Sequence, residues 1–218
     1  MSVTISPTAL TAYLDCPMYF QHKYLDEWTV PDTAATVSGT FLHKSVAEWY
    51  KETKDPLWGD LEFLLFEVGG GEVETAKSMW RQWVTHSLFR TPDGVEIEIE
   101  TDDRKLGHVH CFLDYVQVPV LIDHKFTGKP RKKEALQLAF YRRFAPCTTK
   151  WGYEIVTPDT YLVQWVDEQE MAKADSLIDD TADRICAEMF DPAPRPFGRG
   201  TYYDWCPFQR ECGDCKED

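Results

Sequence analysis

The stretch Val118-Pro-Val-Leu-Ile-Asp-His-Lys-Phe-Thr-Gly128 carries the strongest structural signal in the chain, and Glu134-Ala-Leu-Gln-Leu-Ala-Phe-Tyr141 follows it closely. The apolar, β-branched run at 120–122 predicts a short buried strand. Because side chains alternate along a strand, Asp123 and Lys125 point to the same face. Such a pair suits metal-assisted phosphodiester hydrolysis, since the carboxylate can hold a divalent cation and the lysine can steady an attacking water or the charged phosphate oxygens.

Gly128 is predicted to end this strand, and Glu134–Phe144 is predicted to form a helix. On that helix Gln137 and Tyr141 are four residues apart and therefore share a face. An Asp-x-Lys pair alone is weak evidence, because many strands carry one on a solvated face, and the rest of the chain must support it.

Length and composition describe a packed protein of 218 residues with a net charge of −14. We predict a single domain, soluble and cytoplasmic, because no apolar run approaches the length of a membrane span and no leader precedes the first helix. The acidic total disfavours a nucleic-acid partner, but the segment from Lys125 to Arg143 is locally basic. Its cationic residues are Lys125, Lys129, Arg131, Lys132, Lys133, Arg142 and Arg143.

Three of the seven cysteines, Cys206, Cys212 and Cys215, fall within ten residues near the C-terminus. A short loop cannot bury three thiols, and a chain without a secretory signal is not expected to form disulfides, so this spacing predicts a metal site. Cys16, which precedes a proline as Cys206 does, is the candidate fourth ligand. Four thiolates suit either zinc or an iron–sulfur cluster. The remaining cysteines, Cys111, Cys147 and Cys186, lack metal-site neighbours, and Cys186 is predicted to be core.

The N-terminal half is predicted to be mainly helical. Ser6-Pro7 is typical of a helix start, and the helical pattern breaks at Cys16-Pro17. A second helix carries His43 and ends near Lys51. Residues 55–71 are predicted to be a connector and 72–89 another helix.

Strands follow in the second half. Val95–Glu100 alternates strictly and predicts a half-buried strand with acids on one face. Leu106–Val116 and Val118–Phe126 are predicted to form a hairpin folded about residues 117 and 118, which would pair His110 with Lys125. Two more strands are predicted at Gly152–Val156 and Tyr161–Val166, and a long helix at Asp167–Phe190.

Taken together, these motifs resemble the PD-(D/E)xK nucleases, specifically the RecB-like branch that includes the AddB nuclease domain and the CRISPR-associated iron–sulfur exonucleases. The resemblance rests on Asp123-x-Lys125-x-x-Gly128, on Gln137-x-x-x-Tyr141, and on Ser6 through Phe20 with Cys16-Pro17 at its centre. It implies a restriction-endonuclease-like α/β core with a mixed central sheet flanked by helices. It also implies a [4Fe–4S] cluster on Cys16, Cys206, Cys212 and Cys215, which would join the two ends of the chain.

The resemblance further implies roles for individual residues. Asp123, His43 and the main-chain carbonyl of His124 would hold Mn²⁺ or Mg²⁺. Lys125 would orient the nucleophile, while Gln137 and Tyr141 would position the DNA strand.

The sequence departs from the family pattern at one ligand. The family places an aspartate about a dozen residues before the Asp-x-Lys, where counting from Gly107 gives His110. Three interpretations stay open: His110 replaces the acid, Asp114 substitutes through a bulge or register shift, or the site is weakened. Loss of an acidic ligand would favour Mn²⁺ over Mg²⁺.

The resulting hypothesis is a metal-dependent DNA exonuclease that acts on single strands or DNA ends and works with a recombination or CRISPR-adaptation protein. Within its single domain, residues 1–30 and 200–218 would form the iron–sulfur clasp, and 90–145 the catalytic sheet and helix. The alternatives are a weakened nuclease fold that binds DNA or a protein partner, and a small zinc protein with an incidental Asp-x-Lys.

Overall fold

The computed structural model describes residues 3–52, 54–89 and 91–190. The helices are α1 (Pro7–Asp15), α2 (Pro17–Phe20), a π-helical turn (Gln21–Leu25), α3 (Ala34–Glu52), α4 (Trp58–Glu67), α5 (Val73–His86), α6 (Leu136–Arg142) and α7 (Glu168–Cys186). The strands are β1 (Gly94–Asp103), β2 (Gly107–Gln117), β3 (Val120–Phe126), β4 (Lys150–Val156) and β5 (Tyr161–Val166).

The five strands form one mixed sheet in the order β1-β2-β3-β4-β5. Strand β3 pairs antiparallel with β2 and parallel with β4, and β4 pairs antiparallel with β5. A parallel neighbour requires a crossover, and α6 lies within the crossover from β3 to β4. The predicted α/β fold with a mixed sheet is therefore confirmed.

Local sequence signals account for the first helices. The Ser6 hydroxyl accepts a hydrogen bond from the Ala9 amide at 3.2 Å, which caps α1 at its N-terminus. The chain is extended at Cys16, and Pro17 then begins α2 at a position where its missing N–H costs no hydrogen bond. The predicted helix start and the predicted break are both confirmed.

The predicted connector at 55–71 is wrong, because it contains α4. Leu61 and Leu65, four residues apart, are buried on one face of this helix. The start of α4 lacks a side-chain cap, and Gly59 lies in its first turn. The start signals that identify a helix in sequence are therefore absent here.

The predicted hairpin register is also wrong. Tyr115 lies opposite Ile122, so the hairpin folds between residues 118 and 119, and His110 does not pair with Lys125 as predicted. Pro119 has no amide hydrogen to contribute to the ladder, which favours its placement in the turn. Asp114 precedes Tyr115 and Asp123 follows Ile122, so both acids lie next to this pair.

Contacts divide the chain into two compact units. One comprises Asp32–Ile99 and Phe112–Lys173, and contains β3, β4, β5 and α3 to α6. Its main core includes Leu42, Leu61, Trp80 and Trp83 together with Val156 of β4. These side chains pack helices α3, α4 and α5 against the sheet.

The other unit comprises Met1–Pro31, Glu100–Cys111 and Ala174–Asp218. In its described part, Ile5 forms a parallel bridge with Val109, and the Tyr13 hydroxyl donates to the Met189 carbonyl at 2.5 Å. No helix in the described ranges has the length and apolar character needed to cross a lipid bilayer. The predicted single domain remains a prediction.

Candidate metal-dependent active site

Strand β3 supplies the first two site residues. The Lys125 ammonium lies 2.6 Å from Asp123 Oδ2, as expected for residues two apart on a strand. Asp123 is completely buried, and neither of its carboxylate oxygens accepts a well-oriented hydrogen bond from the described residues. The Lys125 ammonium supplies a neutralising charge at Oδ2, and Oδ1 is left as a buried oxygen that a metal cation could also bind.

Asp114 on β2 joins the site through two contacts of one oxygen. Its Oδ2 accepts a hydrogen bond from the His124 amide at 2.8 Å and lies 3.2 Å from His43 Nδ1. Asp114 is only 6% exposed. The hydrogen bond from the His124 amide and the contact with His43 together place Asp114 between β3 and α3.

Glu96 on β1 is the site residue that sequence reasoning missed. Its Oε1 lies 3.9 Å from His43 Nδ1, and its backbone φ is +48°. A non-glycine residue in this left-handed region is strained, and such strain is concentrated at functional sites. The strict alternation of Val95–Glu100 predicted acids on one face of β1, but gave no reason to select Glu96.

His43, Glu96 and Asp114 form a group suited to a metal ion. Each offers a ligand atom, and these atoms all lie within 4.8 Å of one another. Two carboxylates and an imidazole are a reasonable donor set for Mn²⁺, and carboxylates also suit Mg²⁺. The buried carboxylate of Asp123, on the same face of the sheet, adds a further hard donor. The residues therefore fit the cation that the sequence predicts.

Burial and the closely spaced charges of this site shift the pKa values of three of its residues. Burial raises the pKa of Asp114, but His43 and Lys125 outweigh it and hold that pKa at about 2. Burial raises the pKa of Asp123 to about 6, with Lys125 opposing and Asp114 adding to the increase. Burial lowers the pKa of His43, yet Asp114 outweighs it, so the pKa of His43 is raised. A divalent cation would relieve this repulsion between acids.

Gln137 and Tyr141 form their own pair on α6, which packs against β3. The Gln137 amide donates to the Tyr141 hydroxyl at 2.7 Å, so the predicted shared face is observed. Their role toward a DNA strand remains a prediction.

Of the other predicted ligands, His110 lies outside the three-residue group, and the prediction for His124 concerned its main-chain carbonyl. The amide of His110 donates to the Ile5 carbonyl at 3.2 Å, and His110 is not a member of the three-residue metal group. The His124 side chain lies on the face of β3 opposite Asp123 and contacts Glu154, with Nδ1 2.7 Å from Oε2. The proposed use of the His124 main-chain carbonyl stays a prediction.

The cysteines are only partly described. Cys16 is a partly exposed free thiol between α1 and α2, whereas Cys206, Cys212 and Cys215 lie outside the described residues. The iron–sulfur clasp therefore remains a prediction. Cys186 is exposed near the end of α7, so its predicted core position is wrong. Helical spacing predicted burial, but the thiol lies outside the face of α7 that is covered.

The locally basic segment from Lys125 to Arg143, here called the basic strip, is partly neutralised by nearby acids. Lys132 lies 2.8 Å from Glu170, and Arg142 lies 2.9 Å from Glu168. These exposed pairs are weak and screened by salt, so phosphates could compete for both cations.

Comparison with known proteins identifies the superfamily of the chain. Residues 4–213 match the model of the PD-(D/E)XK nuclease superfamily, and the chain belongs to that superfamily. A candidate exonuclease from Eubacterium rectale has a similar structure, with a TM-score of 0.67 and 12% identity over 90% of this chain and 86% of that one. At this identity the likeness shows the fold alone.

A second solved structure, of the protein SSO0001, covers 96% of both chains at 14% identity, but its TM-score of 0.39 carries no argument. No curated protein matches the chain.

Proposed function

We propose that this chain is a Mn²⁺- or Mg²⁺-dependent DNA exonuclease acting on single strands or DNA ends. The observation that carries the proposal is the group of His43, Glu96 and Asp114 beside the Asp123–Lys125 pair. Membership of a nuclease superfamily supports hydrolysis of a phosphodiester bond. The similar fold of a candidate exonuclease supports removal of nucleotides from an end.

Each residue has a task that follows from its position. His43, Glu96, Asp114 and Asp123 would hold the cation. When bound, the cation would lower the pKa of a water molecule and neutralise the scissile phosphate. Lys125, whose ammonium lies 2.6 Å from Asp123 Oδ2, would hold a phosphate oxygen or the attacking water beside that ligand set.

The substrate would contact α6 and the basic strip. Gln137 and Tyr141 are held in one orientation by their mutual hydrogen bond, which suits them to position a strand. Lys132 and Arg142 would exchange their surface acids for phosphates, which makes DNA affinity dependent on salt.

A [4Fe–4S] cluster on Cys16, Cys206, Cys212 and Cys215 is part of the proposal. Its support is the cysteine spacing in the sequence and the position of Cys16, a partly exposed thiol that makes no side-chain cap to α2. The role we assign to the cluster is structural. A cytoplasmic location and a recombination or CRISPR-adaptation partner accompany this proposal.

Cleavage of labelled DNA tests the proposal. Single- and double-stranded oligonucleotides labelled at the 5′ or 3′ end are incubated with Mn²⁺, Mg²⁺ or EDTA. We expect progressive shortening of single strands with either metal and none in EDTA. The Lys125→Ala variant serves as the control for a contaminating nuclease.

The weakened nuclease fold predicts a different result. Shortening no faster than that of Lys125→Ala, together with measurable DNA binding, would identify the chain as a DNA-binding module. That alternative rested on His110 replacing the usual acidic ligand. Asp114 reduces its support, because this residue provides an acidic side chain beside His43.

A further inference from the structure

A completely buried carboxylate lies beneath the site, on the opposite face of the sheet. Glu154 of β4 is 0% exposed and pairs with His124 in the parallel β3–β4 ladder. Because neighbouring residues on a strand point to opposite faces, His124 projects away from Asp123 and Lys125 and toward Glu154. The contacts of Glu154 therefore concern the back of the strand that carries the site.

Four side chains of the described residues contact the Glu154 carboxylate. Ser87 and Tyr161 donate to Oε1 at 2.6 and 2.5 Å. Trp83 donates to Oε2 at 2.9 Å, and His124 Nδ1 lies 2.7 Å from the same oxygen. Three hydrogen bonds and the close His124 nitrogen hold this buried carboxylate in one orientation, and such a polar network rigidifies its surroundings.

The ring of His124 is also enclosed by aromatic groups. Trp83 and Tyr115 present ring contacts at centroid distances of 6.1 and 6.2 Å, both steeply inclined to the imidazole. His124 is 1% exposed. Its side chain is thus held by packing on two sides and by Glu154 at Nδ1, which leaves the residue little freedom to rotate.

The main-chain amide of His124 contacts one of the candidate metal-binding residues on the other face of the sheet. Its amide donates to Asp114 Oδ2 at 2.8 Å, and that oxygen lies 3.2 Å from His43 Nδ1. A continuous series of short contacts therefore runs from Glu154 through His124 to Asp114 and His43. With Oδ2 held by the amide, the other oxygen of Asp114 can face a cation.

We propose that Glu154 is a positioning residue for the metal site, acting through His124 to hold the Asp114 carboxylate in its ligating orientation. The inference rests on the proposed function and deepens it. Partners that orient metal ligands contribute about 10- to 100-fold to metal affinity in other proteins. A purely structural carboxylate would instead affect stability alone, since buried polar networks can often be replaced without loss of fold.

The test measures Mn²⁺ affinity by titration calorimetry in the wild type and in Glu154→Gln. We expect about a 10-fold or greater loss of affinity, lower kcat on single-stranded DNA with KM little changed, and faster hydrogen exchange of the His124 amide. Thr148→Val is the matched control. It removes a buried hydroxyl that donates to the Ala145 carbonyl at 2.7 Å and should lower Tm without changing Mn²⁺ affinity.

A second variant keeps the test decisive if Glu154→Gln does not fold. His124→Phe retains a ring between Trp83 and Tyr115 but removes Nδ1, and we expect the same loss of Mn²⁺ affinity. Wild-type affinity in either folded variant would overturn the inference while leaving the nuclease proposal intact. A wild type that binds no Mn²⁺ and cleaves no DNA would overturn both.

Discussion

Asp114 Oδ2 lies 3.2 Å from His43 Nδ1, so a residue of the central hairpin and a residue of α3 meet at one point. The same oxygen accepts the His124 amide from β3. Three separate elements therefore converge on one carboxylate, which is the arrangement expected of a ligand whose orientation matters.

Replacing Asp114 by asparagine should impair the metal site far more than replacing His110. Asparagine keeps the shape but removes the charge, so we expect Mn²⁺ affinity to fall by at least about 10-fold, with cleavage falling in parallel. His110→Ala should stay within about threefold of the wild type, well below the loss for an orienting partner. Titration calorimetry and DNA cleavage measure both. Equal losses in the two variants would contradict the placement of Asp114 as the ligand.

Glu96→Gln should weaken Mn²⁺ binding by about 10-fold, because the group would lose one of its negative donors. The strained backbone at Glu96 supports this expectation, since φ +48° persists only where the surroundings hold it. Glu98→Gln, two residues further along β1, is the matched control. A loss in Glu98→Gln as large as that in Glu96→Gln would indicate a general charge effect of β1.

Lys125→Met should separate binding from cleavage. We expect kcat to fall by roughly 10²- to 10³-fold, as when one charge-stabilising donor is removed from an active site. Mn²⁺ affinity should be retained or increased, because the competing ammonium beside Asp123 is gone. Parallel measurement of both quantities is required. If the variant loses Mn²⁺ binding together with cleavage, the role of Lys125 is to keep the metal site intact and not to assist the chemical step.

Glu154 should make stability sensitive to acid. Burial raises its pKa, but His124, Ser87 and Tyr161 outweigh burial, and the pKa of Glu154 is lowered. Its contribution is therefore present above the pKa of an unfolded glutamate, about 4.3, and is lost as pH falls toward the folded value. In that window Glu154→Gln should remove up to about 1.4 kcal/mol per pH unit from the slope of unfolding free energy against pH.

Urea unfolding between about pH 3 and 7 measures this slope, provided that both proteins fold throughout the range used. Identical slopes below the glutamate pKa in the wild type and Glu154→Gln would contradict the lowered pKa.

Much of this architecture follows from sequence because its signals are local. The Ser6 cap, the break at Cys16-Pro17, and the strand that places Asp123 beside Lys125 each depend on residues a few positions apart. Such short-range determinants are readable without knowledge of the tertiary structure. The mixed sheet, in contrast, was implied by the resemblance of the motifs to a nuclease family.

The ligand set could not be predicted in the same way, because it depends on register and on strain. Shifting the hairpin by two residues in its pairing keeps the same face inward, so the alternation of β2 does not discriminate between His110 and Asp114. Glu96 enters the site through an uncommon backbone conformation that no spacing rule anticipates. Helix α4 was missed because packing of Leu61 and Leu65, and not capping, supports it.

The cysteine hypothesis gives a separate prediction. Cys16→Ser should lose iron and the absorbance near roughly 400 nm expected of thiolate-ligated iron–sulfur centres, and so should Cys212→Ser. Cys147→Ser, which changes an exposed thiol, should keep both. Protein purified without oxygen is assayed for iron, zinc and visible absorbance. A colourless wild type containing zinc would replace the cluster with a zinc site.

Anomalous diffraction from crystals soaked in Mn²⁺ tests the central claim most directly. We predict a peak bounded by His43, Glu96 and Asp114 and in contact with Asp123. A peak elsewhere in the molecule, or none at a saturating Mn²⁺ concentration, would contradict the assignment of these residues as the metal site of a nuclease.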